Sequence, residues 1–217
     1  MTIPPHPSIT TNKMSNDDLS LDIFYGISSP WAYMGAERAY RIAEQHGVPV
    51  RLRPIRIIQG NGGIPLNQRP DARQRYHATE LRRWSRRLGI ALNVTPRFYP
   101  CRTIETAAQA VIAATRAGLD TRAFSFAIQR ALWAEQRDIA DVATLREIAA
   151  ATLGPDHAAL VSDQQEAGVV AEWEANLADA LALGIFGTPT YVVRGELFWG
   201  QDHLDFVDEA LARATQR

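Results

Sequence analysis

The chain has 217 residues, and its 23 Lys and Arg against 24 Asp and Glu give a formal net charge of -1, which offers no electrostatic reason to expect nucleic acid or an anionic membrane as partner. A single cysteine, Cys101, excludes an internal disulfide and a cysteine metal site and suits a reducing cytoplasm. The histidines at 6, 46, 77, 157 and 203 lack metal-ligand spacing, so no metal is expected, and no stretch approaches the ~20 apolar residues of a transmembrane helix.

Residues 1–20 are rich in Pro, Thr, Ser and Asn without the apolar run of a signal peptide, and are expected to form a disordered tail. Leu21 to Ile27 is a β-rich apolar run that meets a corner at Ser28-Ser29-Pro30. Helical periodicity follows through His46, with Tyr33, Ala36, Ala39, Tyr40 and Ala43 on one stripe. Pro30 fits the first helical turn and Ser29 the cap before it. A hydroxyl and several unpaired backbone N–H groups therefore meet where a helix N-terminus favours an anion. Gly47-Val48-Pro49 turns the chain into a second strand, Val50 to Ile58, which completes a βαβ unit. Residues 59–70 form a glycine-rich loop of a length that often carries function.

From 71 to 183 the pattern is helical: Asp71–Leu88, Thr103–Ala117, Thr121–Glu135, Asp141–Leu153 and Gln165–Leu183, with glycines just past several ends. Sheet character returns over Gly184 to Gly200 as a hairpin turning at Arg194-Gly195, and Gln201-Asp202 lead into a last helix, His203 to Ala214.

Ser29-Pro30-Trp31-Ala32-Tyr33 resembles the active-site corner of the DsbA-like branch of the thioredoxin superfamily, where Cys-Pro-x-Cys opens the first helix. Here Ser29 and Ala32 stand at the two cysteine positions, so disulfide exchange, which needs two sulfurs, is excluded at this site. Serine first with no second cysteine is similar to the 2-hydroxychromene-2-carboxylate isomerases and the kappa-class glutathione transferases. The resemblance implies an α/β thioredoxin fold, built from 21–58 and 184–217, with an all-helical domain (71–183) inserted after the second strand. It implies a cytoplasmic homodimer in which Ser29 hydrogen-bonds the sulfur of glutathione and holds it as thiolate. It also implies that Pro189 of Gly187-Thr188-Pro189-Thr190 is cis, and that Thr188 presents its backbone to the cysteinyl part of glutathione. Gln201 and Asp202 stand where relatives grip the γ-glutamyl end, while Asn67 and Arg73 resemble further glutathione contacts. Trp31, Tyr33 and Arg102 are the candidates for the wall of a second-substrate pocket. Many relatives have aspartate where this chain has Gly26.

The activity implied is glutathione-dependent cis-trans isomerisation of a conjugated aromatic keto acid. Two alternatives accompany it: conjugation of glutathione to an electrophile in the manner of the kappa class, and a thioredoxin-fold binding module without catalysis.

Overall fold

The computed structural model describes residues 19–56, 59–162 and 164–216. Strand β1 (Leu21–Tyr25) leads into helix α1 (Pro30–Gln45) and strand β2 (Val50–Pro54). Five helices follow: α2 (Asp71–Leu88), α3 (Glu105–Arg116), α4 (Arg122–Trp133), α5 (Val142–Leu153) and α6 (Ala167–Ala182). The chain closes with strands β3 (Thr190–Val193) and β4 (Glu196–Trp199), a 3-10 turn at Gln201–His203, and helix α7 (Leu204–Thr215). The sheet order is β2-β1-β3-β4, with β1 parallel to β2 and antiparallel to β3, and β3 antiparallel to β4. This mixed four-stranded sheet with flanking helices is a thioredoxin fold.

Alternation along the strands sorts side chains to the two faces. Leu21, Ile23, Tyr25, Tyr191 and Val193 join a buried cluster with Ala32, Ala39 and Ala43 of α1 and Leu204, Val207 and Leu211 of α7. That cluster continues without a break into Val111 and Ile112 of α3 and Ile128, Leu132 and Trp133 of α4, so the helices between β2 and β3 share one core with the sheet. Phe24 and Val192, on the other face, meet Ile55, Ala180 and Ile185 under α6.

Local chemistry accounts for most element ends. Asp71 opens α2 after Pro70, and Gly89 closes it at φ 65°, a left-handed conformation that glycine adopts without steric cost. Arg194 and Gly195 both have positive φ, as a two-residue hairpin turn of the right twist requires. The second strand ends at Pro54, four residues before the expected limit, because β1 offers no further partner after Tyr25; one last bond, Ile55 N–H to Tyr25 O at 2.9 Å, completes the pairing. Ile57 and Ile58 lie outside the described residues. Helix α3 starts at Glu105 rather than Thr103, whose hydroxyl accepts the Glu105 N–H at 3.2 Å. Helix α4 starts at Arg122 rather than Thr121, since Thr121 turns inward to Thr115 (3.1 Å) while Asp120 receives the Arg122 N–H. Of the expected tail, 1–18 lie outside the described residues, whereas Leu19 packs on the core and Ser20 donates to Asp22 at 2.8 Å.

Gly35, in the middle of α1, sets the distance between that helix and the turn after β4. Alanine normally improves on glycine in a helix interior by about 1 kcal/mol. At position 35, however, the added carbon would stand 2.4 Å from the Tyr191 hydroxyl oxygen and 2.8 Å from Gln201 Cβ. Overpacking of this kind costs about 1–3 kcal/mol. Gly35→Ala is therefore expected to lower the midpoint of urea unfolding, and a raised midpoint would contradict this packing.

Candidate functional site

The corner between β1 and α1 is built by backbone geometry before any side chain acts. The Ser29 N–H donates to Gly26 O at 2.9 Å, closing a turn, and the Ser29 carbonyl accepts the Tyr33 N–H at 3.0 Å, starting the helix. Ser29 caps α1 with extended backbone, its hydroxyl oxygen accepting the Ala32 N–H at 3.3 Å. An oxygen used as acceptor in the cap keeps its own O–H free to donate outward. Pro30 carries no N–H, among the described residues nothing accepts the Trp31 N–H, and the first turn of this 16-residue helix holds no acidic side chain. The partial positive charge of the helix N-terminus is thus left unneutralised beside the hydroxyl.

The loop before β3 faces this corner. Thr188-Pro189 is cis, and a carbon built on Gly26 would lie 3.5 Å from Thr188 Oγ1 and 3.6 Å from Ser29 Cβ. Gly26, Ser29 and Thr188 therefore converge, and the missing side chain at Gly26 keeps the space between them open. Among the described residues no partner takes the backbone N–H or C=O of Thr188, while its neighbours are fixed: Thr190 donates its hydroxyl to Gly187 O (2.8 Å) and Gly200 N–H to Pro189 O (2.9 Å). A peptide group with both hydrogen-bonding functions open is suited to receive a peptide-like ligand edge-on. The glycine-rich loop is tied to the same region by Asn61, whose amide donates to Ile185 O at 2.9 Å.

The other candidate residues are placed as follows. Trp31 is half-buried beside Ser29. Tyr33 points into the core, 2% exposed, stacked on Phe126 at 5.4 Å with its hydroxyl donating to Ala91 O; burial pushes its phenol up to about 12. Gln201 is 1% exposed, and its side-chain oxygen accepts from Arg38 at 2.9 Å, so this amide is engaged with α1. Asp202 is exposed, 3.5 Å from His203 Nδ1, and makes no capping hydrogen bond to α7, which leaves its carboxylate available to a ligand. Asn67 lies exposed on the 3-10 turn Leu66–Gln68 and Arg73 exposed in the first turn of α2. Arg102 pairs with Asp138 at 2.9 Å on the surface.

Further aromatic residues surround the corner; Tyr99 and Trp133 are expected from the sequence as core or pocket wall, whereas His77 is not. Trp133, 1% exposed, donates its indole N–H to Ser28 O at 3.2 Å and packs on Tyr99 with ring centres 5.0 Å apart. Tyr99 precedes a second cis proline, Pro100. His77 stands edge-on to Trp31 at 5.4 Å. A signal for His77 existed: it shares the inward stripe of α2 with Leu81, Trp84 and Leu88 at helical spacing.

The surroundings of Cys101 disfavour its thiolate. Burial, and secondarily the nearby Asp138 carboxylate, push its thiol up to about 11. At pH 8 its alkylation by iodoacetamide is expected to be about two orders of magnitude slower in the native protein than in urea; equal rates would contradict the burial. Among the described residues no cluster of three or more His, Cys, Asp or Glu could hold a metal ion, and no helix is long and apolar enough to cross a membrane.

Comparisons with known proteins agree with this architecture. A 2-hydroxychromene-2-carboxylate isomerase of Pseudomonas putida is 26% identical over 205 residues, covering 91% of this chain and 96% of its own. A solved 2-hydroxychromene-2-carboxylate isomerase superposes with a TM-score of 0.69 at 22% identity, covering 89% of this chain and 94% of that one. The cytosolic disulfide reductase DsbM of Pseudomonas aeruginosa, solved with GSH, superposes with a TM-score of 0.62 at 23% identity, covering 90% and 96%. The family model of the DSBA-like thioredoxin domain matches residues 20–212, nearly the whole described chain, and with the β1–α1 corner facing a cis proline it establishes that the chain belongs to the DSBA-like thioredoxin domain family.

Proposed function

We propose that the protein is a glutathione-dependent isomerase of the 2-hydroxychromene-2-carboxylate isomerase type, acting on a conjugated aromatic keto acid. The observation that carries this reading is the Ser29 hydroxyl, held as a cap at an unneutralised helix N-terminus opposite Thr188 and cis-Pro189, with Ala32 where a dithiol would need its second sulfur. The isomerases among its relatives support the substrate class, and the GSH bound to DsbM supports the thiol.

The chain's own groups fit such a ligand. Ser29 O–H donates to the sulfur, the open N–H and C=O of Thr188 pair with the cysteinyl peptide, and Asp202 receives the α-ammonium. In this reading Asn67 and Arg73 extend the grip from the loop and the start of α2, the arginine toward the glycine carboxylate. Gln201 acts differently: bonded to Arg38, it fixes the turn that carries Asp202. When bound, glutathione supplies a thiolate that adds reversibly to the conjugated double bond and so permits rotation. A free thiol titrates near ~8.5, and lowering that by about two units takes roughly 2.7 kcal/mol, a plausible sum for one charge-assisted hydrogen bond and a helix terminus.

A kappa-like transferase would use the same thiolate site and differ in the second pocket. The discriminating experiment follows hydroxybenzylidenepyruvate with catalytic glutathione by ultraviolet absorbance. Equilibration with the chromene carboxylate without consumption of thiol is the expected result; stoichiometric loss of thiol would assign the transferase, and no thiol binding at all would leave a binding module. A homodimer is expected in sedimentation velocity.

A further inference from the structure

A small cavity of about 10 Å³ lies where the sheet meets α1 and α4. Ala32, in the first turn of α1, and cis-Pro189, before β3, form part of its wall, so it backs onto the candidate thiol site. Tyr25, Tyr40, Tyr191 and Gln129 supply its polar lining, and the remainder is aliphatic. Gln129 is 1% exposed, and among the described residues neither its amide oxygen nor its amide nitrogen has a hydrogen-bond partner. Burying both functions of an amide unpartnered forfeits their solvation, which native interiors rarely tolerate. One helical turn earlier on α4, and on the same face, the fully buried Ser125 lies with its Oγ 2.7 Å from the Tyr25 hydroxyl oxygen. That contact sets the Tyr25 hydroxyl against the helix face that carries the Gln129 amide. Burial pushes the Tyr25 phenol far above its ordinary range, so it stays a neutral hydroxyl. A phenol offers one donor and two lone pairs, and Ser125 engages only part of that capacity. A volume of roughly 10–15 Å³ with two or more polar partners is what a single buried water requires.

We propose that this cavity is a binding site for one long-lived internal water, which bridges the Gln129 amide to the Tyr25 hydroxyl and joins α4 to the back of the β1–α1 corner. The volume admits nothing larger, and an aliphatic wall does not solvate an ion. Tyr25 ends the strand that leads to Ser29, and Ala32 and Pro189 close the cavity on the side of the thiol site. Gln129 is therefore a positioning residue: through the water it fixes the distance between α4 and the two segments that converge at Ser29. This role is independent of which thiol or second substrate the corner receives.

The test compares the full-length wild type with Gln129→Met, which keeps the length of the side chain and removes both amide functions. In wild type the Gln129 side-chain amide protons should show cross peaks to water with the sign given by a water that tumbles with the protein. Oxygen-17 relaxation dispersion of the solvent, which labile protein protons do not affect, should lose the amplitude of one long-lived water in Gln129→Met. The urea midpoint of Gln129→Met should fall, because a satisfied bridge is lost; replacing a dry, unpartnered amide with an apolar chain would raise it. The backbone N–H resonances of Ala32 and Thr188 should shift in Gln129→Met, while those of Arg194 and Gly195 in the distant hairpin turn stay in place. Absence of the water cross peak in wild type, an unchanged oxygen-17 dispersion or a raised midpoint would each overturn the water site. Unmoved Ala32 and Thr188 resonances would overturn the positioning role. Should Gln129→Met fail to fold, the wild-type cross peak alone decides for or against the site.

Discussion

Ser29→Ala is expected to lower thiol-dependent turnover about a hundredfold, because on the proposed reading it removes the O–H that donates to the sulfur and, with it, about two units of thiol pKa depression. The same change deletes a helix cap, worth about 1 kcal/mol of stability, so loss of activity alone would be ambiguous. Ser29→Asp separates the two effects. A carboxylate caps a helix N-terminus as well as serine does and is favoured by the dipole, yet it presents negative charge to a thiolate and has no proton to donate. Ser29→Asp should therefore unfold at the same temperature as wild type, or a higher one, while losing thiol activation as completely as Ser29→Ala. Retention of activity in Ser29→Asp would mean that the helix terminus, and not the hydroxyl, carries the chemistry.

Trp133→Ala is expected to have the largest effect on stability. The side chain is 1% exposed at the end of α4, packed among residues of α3 and α4, and its indole reaches across to Ser28 O. Truncating a buried tryptophan to alanine costs about 3–5 kcal/mol, from lost burial and the cavity left behind. Trp133→Phe keeps most of the ring contacts but leaves Ser28 O without its donor, for about 1 kcal/mol. The corner that positions Ser29 is held from outside by this bond, so Trp133→Phe should reduce turnover more than its small stability loss explains. Denaturant unfolding of both variants checks the first statement and their steady-state kinetics the second. A Trp133→Ala protein within 1 kcal/mol of wild type would contradict the packing.

What the sequence disclosed and what it withheld follow from the range of the interactions involved. Helix α2 runs over the residues its pattern indicates because Pro70, Asp71 and Gly89 are local signals sufficient to start and stop a helix. The Ser29 cap and the Arg194-Gly195 turn are local in the same sense. The cis bond at Pro189 is not local: its neighbours do not demand it, and only the resemblance of Ser29-Pro30-Trp31-Ala32 to a family that has one points to it. The side chain of Gln201 could not be placed either, since its contact with Arg38 spans 163 positions of sequence and depends on Gly35 allowing close approach. His77 is hidden for a related reason: its contact with Trp31 comes about only through the packing of α2 against α1.

On the proposed reading the β1–α1 corner and the cis-proline loop together bind a thiol as its anion. Calorimetric titration with glutathione across pH, with thiolate absorbance followed in the complex, tests it most directly. If the bound thiol titrates about two units below its free value of ~8.5, the anion binds more tightly than the thiol, and linkage fixes the sign. Affinity should be constant below about pH 6.5, rise up to about a hundredfold through the interval, and level off above about pH 8.5. An affinity independent of pH, with the bound thiol titrating at its free value, would show that the corner does not hold a thiolate.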